Sequence, residues 1–454
     1  MGIELRLSQL TAILGENLRR SPQAIPTVTL SGISTDTRDL QPGNLFVALM
    51  GEKFDGHDYI AQAQQSGAIA LITSRPMATD LPQWVVADTL RAYQDLGAWW
   101  RQQVNIPVIG ITGSVGKTST KELIAGVLST QGNVLKTEAN FNNEIGVPKT
   151  LLKLTPDHDF AVIEMAMRGP GEIARLAEIA QPTIGIITNV GTAHIGRLGS
   201  REAIAKAKCE LLEFMPKDSV AILNADNDLL MKTAATVWAG ETRRYGFTQG
   251  DLQGEYRAPD QVEVAGQIFP VPLPGQHNAL NYLAALVVME VLGFGWQALT
   301  AGISLAMPKG RSQRLTLPND IVLLDETYNA GLESMLAALD LLKQTPGDRH
   351  IAVLGTMKEL GEFSQALHTQ VGEKAQSLGL DQLYILVDDP EAEAIAQGAP
   401  AIPSACFPDH DSLIQHLQET LQGGDRLLFK ASNSVGLSRV VEALRQHFLP
   451  QGQG

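Results

Sequence analysis

Residues 109–122 combine a glycine turn with a Lys-Thr pair, and they read IGITGSVGKTSTKE. They follow the apolar run 106–111 and lead into a predicted helix over 119–128. Strand, glycine turn, Lys-Thr and helix in that order are typical of a loop that holds the phosphates of a nucleoside triphosphate. Its backbone N–H groups and the positive end of the helix dipole face the phosphates. The predicted nucleotide-binding residues are Thr112, Gly113, Ser114, Val115, Gly116, Lys117, Thr118 and Ser119.

Two side chains of this loop have specific expected roles. Lys117 reaches the outer phosphates, and Thr118 holds a magnesium ion. Ile111 stands where the longer form of the motif has glycine, so the loop is the shorter form TGSVGKT. A glycine turn without a ligand is the alternative, and the flanking strand and helix favour the phosphate site.

Polar side chains also follow two apolar runs that resemble buried strands. Glu164 lies near the end of the run 161–165, and His194 lies on the loop after the run 183–188. Ligands of open α/β sheets bind at the carboxyl ends of the strands. Glu164 is therefore a candidate magnesium ligand, or a solvent-facing acid. His194 is a candidate second metal ligand, a phosphate contact or an ordinary surface residue.

Lys208 occupies an unusual position in the predicted helix 201–214. Glu202, Lys206 and Glu210 form a charged stripe at helical spacing, which explains Lys206. Lys208 lies among Ile204, Leu211 and Leu212 on the apolar side. A lysine there is costly unless it is paired or chemically altered. It either extends to a helix edge or projects into the active cleft.

Amide and charged groups gather near two further points. Asn278 and Asn281 lie one turn apart at the start of a helix, where they suit a base or sugar edge. An N-cap role for Asn278 is the alternative. Arg311 lies at a predicted hinge, and the run 324–330, LDETYNA, closes a strand soon after it. Such groups beside a hinge indicate a cleft that domain closure completes.

Short apolar runs alternate with helical stretches through most of the chain. This alternation predicts α/β domains with mostly parallel sheets covered on both faces. We predict three domains: a small mixed α/β domain over 1–103, a central phosphate-loop domain over 104–310, and a Rossmann-like α/β domain over 311–454. The linker is placed at 308–310, and the tail 450–454 is expected to fray.

Composition limits the classes of function. The chain has 454 residues and a net charge of −14, which argues against a broad nucleic-acid surface but not against an anionic small molecule. Cys209 and Cys406 are the only cysteines, so no disulfide framework or cysteine metal site is expected. Neither a signal-peptide pattern nor a run of about 18 apolar residues occurs. We therefore expect a cytoplasmic protein that is not embedded in a membrane.

Taken together, these residues resemble the Mur ligases of peptidoglycan synthesis. The short phosphate loop, Glu164, the segment 189–194, Lys208 and Asp325 fit that family, as do the two asparagines at 278 and 281. Four further segments of the sequence resemble those of the family members that join D-alanyl-D-alanine to a UDP-N-acetylmuramoyl-tripeptide. They are 34–38 with 45–48, 140–148, 325–330, and 353–361 with His368.

The resemblance implies an ATP-dependent ligase with two small-molecule substrates, that dipeptide and that UDP-linked tripeptide. It would use ATP and Mg2+, pass through an acyl phosphate and act as a monomer. Lys208 would be carbamylated by carbon dioxide. The implied catalytic residues are Lys117, Lys208 and His194, and the implied metal ligands are Thr118, Glu164, His194 and Lys208. Asn278, Asn281, Arg311 and Asp325 would contact ATP, and Ser34, Thr35, Asp36, Arg38, Asn140, Asn143, Thr192, Tyr328 and Asn329 would contact the substrates.

The chain departs from the family pattern in its last domain. Thr356 stands where Asp is expected, Gly331-Leu332 where Asn-Pro is expected, and Asn433 where Arg is expected. The details of dipeptide recognition therefore stay open. Two other functions also stay open: a related ligase that adds a single amino acid to a muramyl or folyl substrate, and a nucleotide-dependent switch.

Overall fold

Three large sheets organise the chain in the computed structural model, which describes residues 4–305 and 307–449. They have five, nine and six strands in chain order. The three predicted α/β domains are thus confirmed as a fold, whereas their predicted boundaries stay predictions. The tail 450–454, which we expect to fray, lies outside the described residues.

The first domain is a small mixed α/β layer. Its strands are β1 (Leu5–Arg6), β2 (Leu18–Arg20), β3 (Thr29–Leu30), β4 (Gly32–Ser34), β5 (Asn44–Val47), β6 (Ala70–Thr73) and β7 (Gln83–Val86), and its helices are α1 (Leu10–Leu14), α2 (Ile60–Gln65) and α3 (Thr89–Arg101). The sheet order is β2-β7-β6-β5-β4, with only β2 antiparallel. β5 and β6 are buried along their whole length, as apolar runs in a parallel sheet require.

The central domain is built on the nine-stranded sheet. Its strands are β8 (Val108–Thr112), β9 (Val134–Lys136), β10 (Phe160–Glu164), β11 (Ile184–Ile187), β12 (Val220–Asn224), β13 (Glu241–Gly246), β14 (Leu252–Arg257), β15 (Gln261–Val264) and β16 (Gln267–Pro270). Its helices are α4 (Lys117–Leu128), α5 (Gly146–Leu151), α6 (Glu172–Ala180), α7 (Ile195–Leu198), α8 (Arg201–Phe214), α9 (Asp228–Val237) and α10 (Gln276–Val291).

Strand β8 lies between β10 and β11, and all three are parallel. The loops that follow them therefore meet at one edge of the sheet. Ile109 and Ile111 of β8 share a core with α4 and α10, whereas Val108 faces the core that contains α6 and α8. Helices on both faces hold the strand ends, and so the phosphate loop, in place.

The last domain has a six-stranded sheet of order β17-β18-β22-β19-β20-β21. Its strands are β17 (Gln313–Leu317), β18 (Ile321–Asp325), β19 (Arg349–Gly355), β20 (Gln382–Leu386), β21 (Ser404–Phe407) and β22 (Asp425–Lys430). Its helices are α11 (Leu332–Gln344), α12 (Ser364–Ser377), α13 (Ala394–Gln397), α14 (His410–Thr420) and α15 (Ser438–Phe448). Only β17 is antiparallel to its neighbour.

The apolar runs 106–111, 161–165 and 183–188 correspond to β8, β10 and β11, which are interior strands of the central sheet. β15 and β16 pair antiparallel as a hairpin. The edge strands β17 and β21 alternate between exposed and partly buried residues, so they contain no apolar run to detect. Among the described residues, no helix is both long and apolar enough to cross a membrane.

Helix α3 connects the first domain to the central one through buried polar contacts. Asp88 caps its start by accepting hydrogen bonds from the backbone N–H groups of Leu90 and Arg91. At its end, Arg101 is buried and donates to the carbonyls of Ala180 (3.1 Å) and Val104 (2.9 Å). Its guanidinium therefore satisfies carbonyls that water does not reach.

We expect Arg101→Met to destabilise the protein by about 2–3 kcal/mol, because buried carbonyls lose their donors. The matched control is Arg91→Met on the same helix, where the exposed Arg91 pairs only with Asp95 and the cost stays below about 1 kcal/mol. Thermal unfolding of both variants measures the difference. Equal melting temperatures would contradict the structural role of Arg101.

Candidate functional site

A cavity of about 620 Å³ opens where the central and last domains meet. The phosphate loop, the ends of β10 and β11 and the start of α10 form one wall. Residues 310–312, 326, 328–331, 333–334, 337–338 and 430 form the other. Many of the predicted site residues from these two domains thus come from distant parts of the chain to one space.

The phosphate loop is held by the end of the neighbouring strand. Asn189 Oδ1 accepts a hydrogen bond from the backbone N–H of Val115 (3.1 Å), and Thr188 Oγ1 donates to the Val115 carbonyl (2.7 Å). Gly113 and Gly116 have φ of +155° and +82°, which favour glycine. The loop is therefore set in shape by its own backbone and by β11.

Lys117 folds back over this loop. Its Nζ donates to the carbonyls of Gly113 (2.8 Å) and Ser114 (3.3 Å). Burial lowers the pKa of Lys117, and the charge of Arg311 lowers it further although Glu164 opposes the shift. A partly desolvated ammonium over a ring of backbone N–H groups is suited to an anionic ligand.

Glu164 ends β10 inside the site rather than facing solvent. Its Oε2 accepts from the Thr118 hydroxyl (2.9 Å), and its Oε1 accepts from Asn142 Nδ2 (2.8 Å). The ammonium of Lys121, which is fully buried, lies 4.0 Å from Oε2. A hydroxyl beside a carboxylate at a phosphate loop is the oxygen donor pair that magnesium takes up together with phosphate oxygens.

His194 lies on the loop after β11 and lines the cavity. Its Nδ1 is 2.6 Å from Glu359 Oε2 of the last domain. Burial is the main cause that lowers the pKa of His194, which favours the neutral ring that a metal needs. In the part of the chain that the structure describes, no group of three or more His, Cys, Asp or Glu side chains is arranged around a common metal position.

Lys208 is buried on α8 beneath the site, and it does not line the cavity itself. Ser200 caps this helix, whose bounds match the predicted 201–214. Among the described residues the Lys208 ammonium makes no hydrogen bond or ion pair. Burial lowers the pKa of Lys208 strongly, and Lys117 adds to the shift. The Lys208 side chain is enclosed, so the alternative in which it extends to a helix edge is wrong.

The two asparagines at the start of α10 differ in their contacts. Asn281 lines the cavity, and its side chain packs against Gly116, where a methyl group would lie 2.9 Å from Asn281 Oδ1. Asn278 is buried and donates through Nδ2 to the Pro274 carbonyl (2.8 Å), while Gly275 is the N-cap. The N-cap alternative for Asn278 is therefore wrong, and its buried Oδ1 has no partner among the described residues.

The last domain contributes a stacked and charged wall. The Arg311 guanidinium lies 3.8 Å from the centre of the Tyr328 ring. Lys430 donates to the Asn329 carbonyl (2.9 Å), and its Nζ lies 3.9 Å from Glu326. Burial lowers the pKa of Lys430 and raises that of Glu326. Asp325 does not line the cavity, because it turns to Thr327 and accepts from the hydroxyl at 2.6 Å.

The remaining predicted substrate residues divide into two groups. Asn140 and Asn143 line the cavity, and Asn143 Oδ1 also accepts from the Gly146 N–H (2.9 Å) at the start of α5. Thr192 lies beside the cavity, where its N–H and hydroxyl both donate to Glu333.

The first-domain residues are not brought into this cavity. Ser34 donates to Asp39 (2.6 Å), and Thr35 follows it at the end of β4. Asp36 pairs with the exposed Arg38 at 2.6 Å, and the hydrogen bond from Arg38 lowers the pKa of Asp36 to about 2. These groups form a separate polar surface on the first domain.

The residues that depart from the family pattern lie in three different environments: the interior, a helix start and an exposed turn. Thr356 is buried and donates to Asp388 (2.5 Å), which thus supplies a carboxylate near that place. Gly331 caps α11 and Leu332 begins it. Asn433 is exposed in a short turn after β22.

Sequence reasoning missed several residues of the site. Asn142, Glu333 and Lys121 are not among the predicted site residues, and Glu359 and Lys430, which lie at or after strand ends of the last domain, are predicted to be solvated surface groups. Lys430 is buried, so that prediction is wrong for Lys430, whereas Glu359 is exposed as predicted and also contacts His194. The signal for Lys121 was its place one turn after Lys117 in the helix, on the side that faces the sheet.

Three regions of the chain match models of known protein families. They are the Mur ligase family catalytic domain at 29–107, the Mur ligase middle domain at 111–289, and the Mur ligase glutamate ligase domain at 310–433. The chain therefore belongs to the Mur ligase family, and it is a ligase.

Particular relatives resemble it along nearly the whole length. The UDP-N-acetylmuramoyl-tripeptide–D-alanyl-D-alanine ligase of Synechocystis sp. is 56% identical over 447 residues, which are 98% of each chain. A crystal structure of MurF from Acinetobacter baumannii has a TM-score of 0.89 at 30% identity and covers 98% of this chain and 99% of that one. MurF ligase from Thermotoga maritima in complex with ADP has a TM-score of 0.83 at 30% identity and covers 93% and 98%.

We expect Gly113→Ala to weaken binding of a fluorescent ATP analogue at least tenfold, which is about 1.4 kcal/mol. The new methyl group would lie 1.9 Å from Thr188 Oγ1, so the loop must move. Gly171→Ala is the matched control: it also has a positive φ, of +82°, but no atom lies within 4 Å of the added carbon. Equal affinities in titrations of the two variants would contradict the tight fit of the loop.

Proposed function

We propose that this protein joins D-alanyl-D-alanine to UDP-N-acetylmuramoyl-tripeptide at the expense of ATP, in the synthesis of peptidoglycan precursors. The observation that carries the proposal is the 56% identity, over 98% of both chains, with the Synechocystis ligase of that name. The cavity supports it, because one wall has a phosphate loop and the facing wall has the polar groups that a second substrate needs.

ATP is the proposed nucleotide because the phosphate loop is complete and a structural relative is a complex with ADP. The phosphates would lie against the backbone of residues 113–119, and Lys117 would turn from the carbonyls of its own loop to their oxygens. Asn281 and Arg311 line the same space and would contact the nucleotide. Asn278 and Asp325 do not line the cavity, so they would support the residues that contact the nucleotide.

Magnesium is the proposed cofactor, and the residues fit it. The Thr118 hydroxyl and the Glu164 carboxylate already lie 2.9 Å apart and would hold one ion. His194 would help to hold a second ion through the ring nitrogen that Glu359 leaves free. The ions, when bound, neutralise the negative charge between two anionic reactants and polarise the phosphoryl oxygens.

A carbamate on Lys208 is the proposed form of that side chain. A buried lysine with a lowered pKa is unprotonated often enough to attack carbon dioxide. The amine nitrogen bonds to the carbon of carbon dioxide and a proton leaves, so the product is an anion that would attract Lys117 and offer an oxygen ligand for the second ion. The chemical change would thus remove the cost of a lysine on the apolar face.

The proposed reaction has two steps. A carboxylate oxygen of the tripeptide attacks the γ-phosphorus of ATP, the bond to ADP breaks, and an acyl phosphate forms. The amine of the dipeptide then attacks the acyl carbon, and inorganic phosphate leaves as the amide forms. Lys117 holds the charge of the transferred group, and the enclosed cavity between two domains limits hydrolysis of the acyl phosphate by water.

The substrates would extend from the cavity in two directions. The uridine end would reach Ser34, Thr35, Asp36 and Arg38 of the first domain, and the peptide end would lie near Asn140, Asn143 and Thr192. The dipeptide would lie against Tyr328 and Asn329. We further propose that the protein works as a cytoplasmic monomer and binds no nucleic acid.

A competition assay tests the substrate proposal. We expect isotope-labelled D-alanyl-D-alanine to be incorporated into the UDP-linked product, while labelled free amino acids at equal concentration are not. Incorporation of a free amino acid alone would instead identify a related single-residue ligase. ATP hydrolysis that is independent of both substrates would identify a nucleotide-dependent switch.

For Lys208, we expect Lys208→Ala to lower the ligation rate at least about a hundredfold, because a charge-stabilising group is lost. Excess bicarbonate or a short carboxylate partly restores the rate by filling the space. The matched control is Lys206→Ala, an exposed lysine two residues away on the same helix, which keeps its activity. Full activity of Lys208→Ala would refute the carbamate.

A further inference from the structure

The last domain reaches across the cavity to His194 with a carboxylate. Glu359 Oε2 lies 2.6 Å from His194 Nδ1, and its Oε1 lies 3.2 Å from Arg197 Nη2. A carboxylate only accepts hydrogen bonds, so the His194 proton is on Nδ1. Among the described residues Nε2 has no hydrogen-bond partner, and its lone pair is available to a ligand.

The backbones of the two domains also meet at this point. The Gly196 N–H donates to the Glu359 carbonyl (3.2 Å), and a methyl group on Gly196 would lie 2.6 Å from the Gly361 nitrogen. His194 and Glu359 both have φ of +65°, which is rare for residues with a side chain. A conformation of that cost persists only where the surrounding contacts fix it.

Glycine at 196 and 361 permits this approach, and Glu359 turns its side chain back to His194. A histidine that binds metal through one nitrogen and donates the other N–H to a carboxylate has a fixed tautomer and a more basic ring. Here the metal ligand and its carboxylate belong to different domains, so the pair exists only when those domains meet.

We propose that Glu359 is a positioning residue: it holds His194 as the Nδ1–H tautomer with Nε2 free for metal, and does so only while the last domain is seated on the loop at 194–196. The inference deepens the proposed function and rests on it for the identity of the metal-dependent reaction. The tautomer itself depends on neither ATP nor substrate.

The first test measures the tautomer in the free, full-length protein. Spectra of protein labelled with ¹⁵N-histidine report it, and a His194→Gln variant identifies the His194 signals among the nine histidines. We expect Nδ1–H in the wild type and a shift toward Nε2–H in Glu359→Ala. Arg197→Ala is the matched control, because it removes the other partner of Glu359 but keeps the Nδ1–H form.

The second test measures Mn2+ affinity by electron paramagnetic resonance, with a non-hydrolysable ATP analogue present. We expect the weaker of two bound ions to lose about tenfold in affinity in Glu359→Ala, and Arg197→Ala to stay within twofold of the wild type. Gly196→Ala should reproduce the loss without a change of charge, because its methyl group separates the two loops.

An unchanged His194 tautomer in a folded Glu359→Ala protein would overturn the proposal, whatever its activity. If that variant does not fold, Glu359→Leu keeps a side chain of similar size without a hydrogen-bond acceptor, and the same spectra decide. Unchanged Mn2+ affinity in Gly196→Ala would overturn the requirement that the last domain contact the loop at 194–196. Failure of the ligation assay with the expected tautomer present would instead contradict the proposed function.

Discussion

The structure depends on lysine side chains that are held away from water at one site. Lys117 lowers the pKa of Lys208, Arg311 lowers the pKa of Lys117, and burial acts on both lysines in the same direction. Lys430 is buried on the facing wall, where burial lowers its pKa although Glu326 and Asp325 oppose the shift. Such groups are costly in a folded protein. They are explained if an anion lies between them during the working cycle.

The fold concentrates this charge in one place. The chain as a whole has a net charge of −14, yet Lys117 follows β8 at this edge of the central sheet, Lys208 lies beneath it on α8, and Lys430 faces it from the last domain. Glu333 adds a second connection to that edge from the last domain: it accepts from both the N–H and the hydroxyl of Thr192. The last domain is thus joined to the edge by side chains that come from the same loop as His194.

The sequence predicts what depends on local pattern. The phosphate loop has a strand before it and a helix after it, so its place follows from a few residues, and the helix of Lys208 follows from its charged stripe. Glu359 and Glu333 depend instead on how two distant domains meet, and no local pattern contains that information. For Asp325, the sequence predicts the position at a strand end. It does not predict that the side chain accepts a hydrogen bond from the Thr327 hydroxyl.

The proposed function depends on the activation of a tripeptide carboxylate as an acyl phosphate in this cavity. The most direct measurement uses a tripeptide substrate whose reacting carboxylate contains two ¹⁸O atoms. We expect mass spectrometry to find one ¹⁸O in the released phosphate and one in the new amide. Phosphate released without ¹⁸O during ligation would contradict an acyl phosphate.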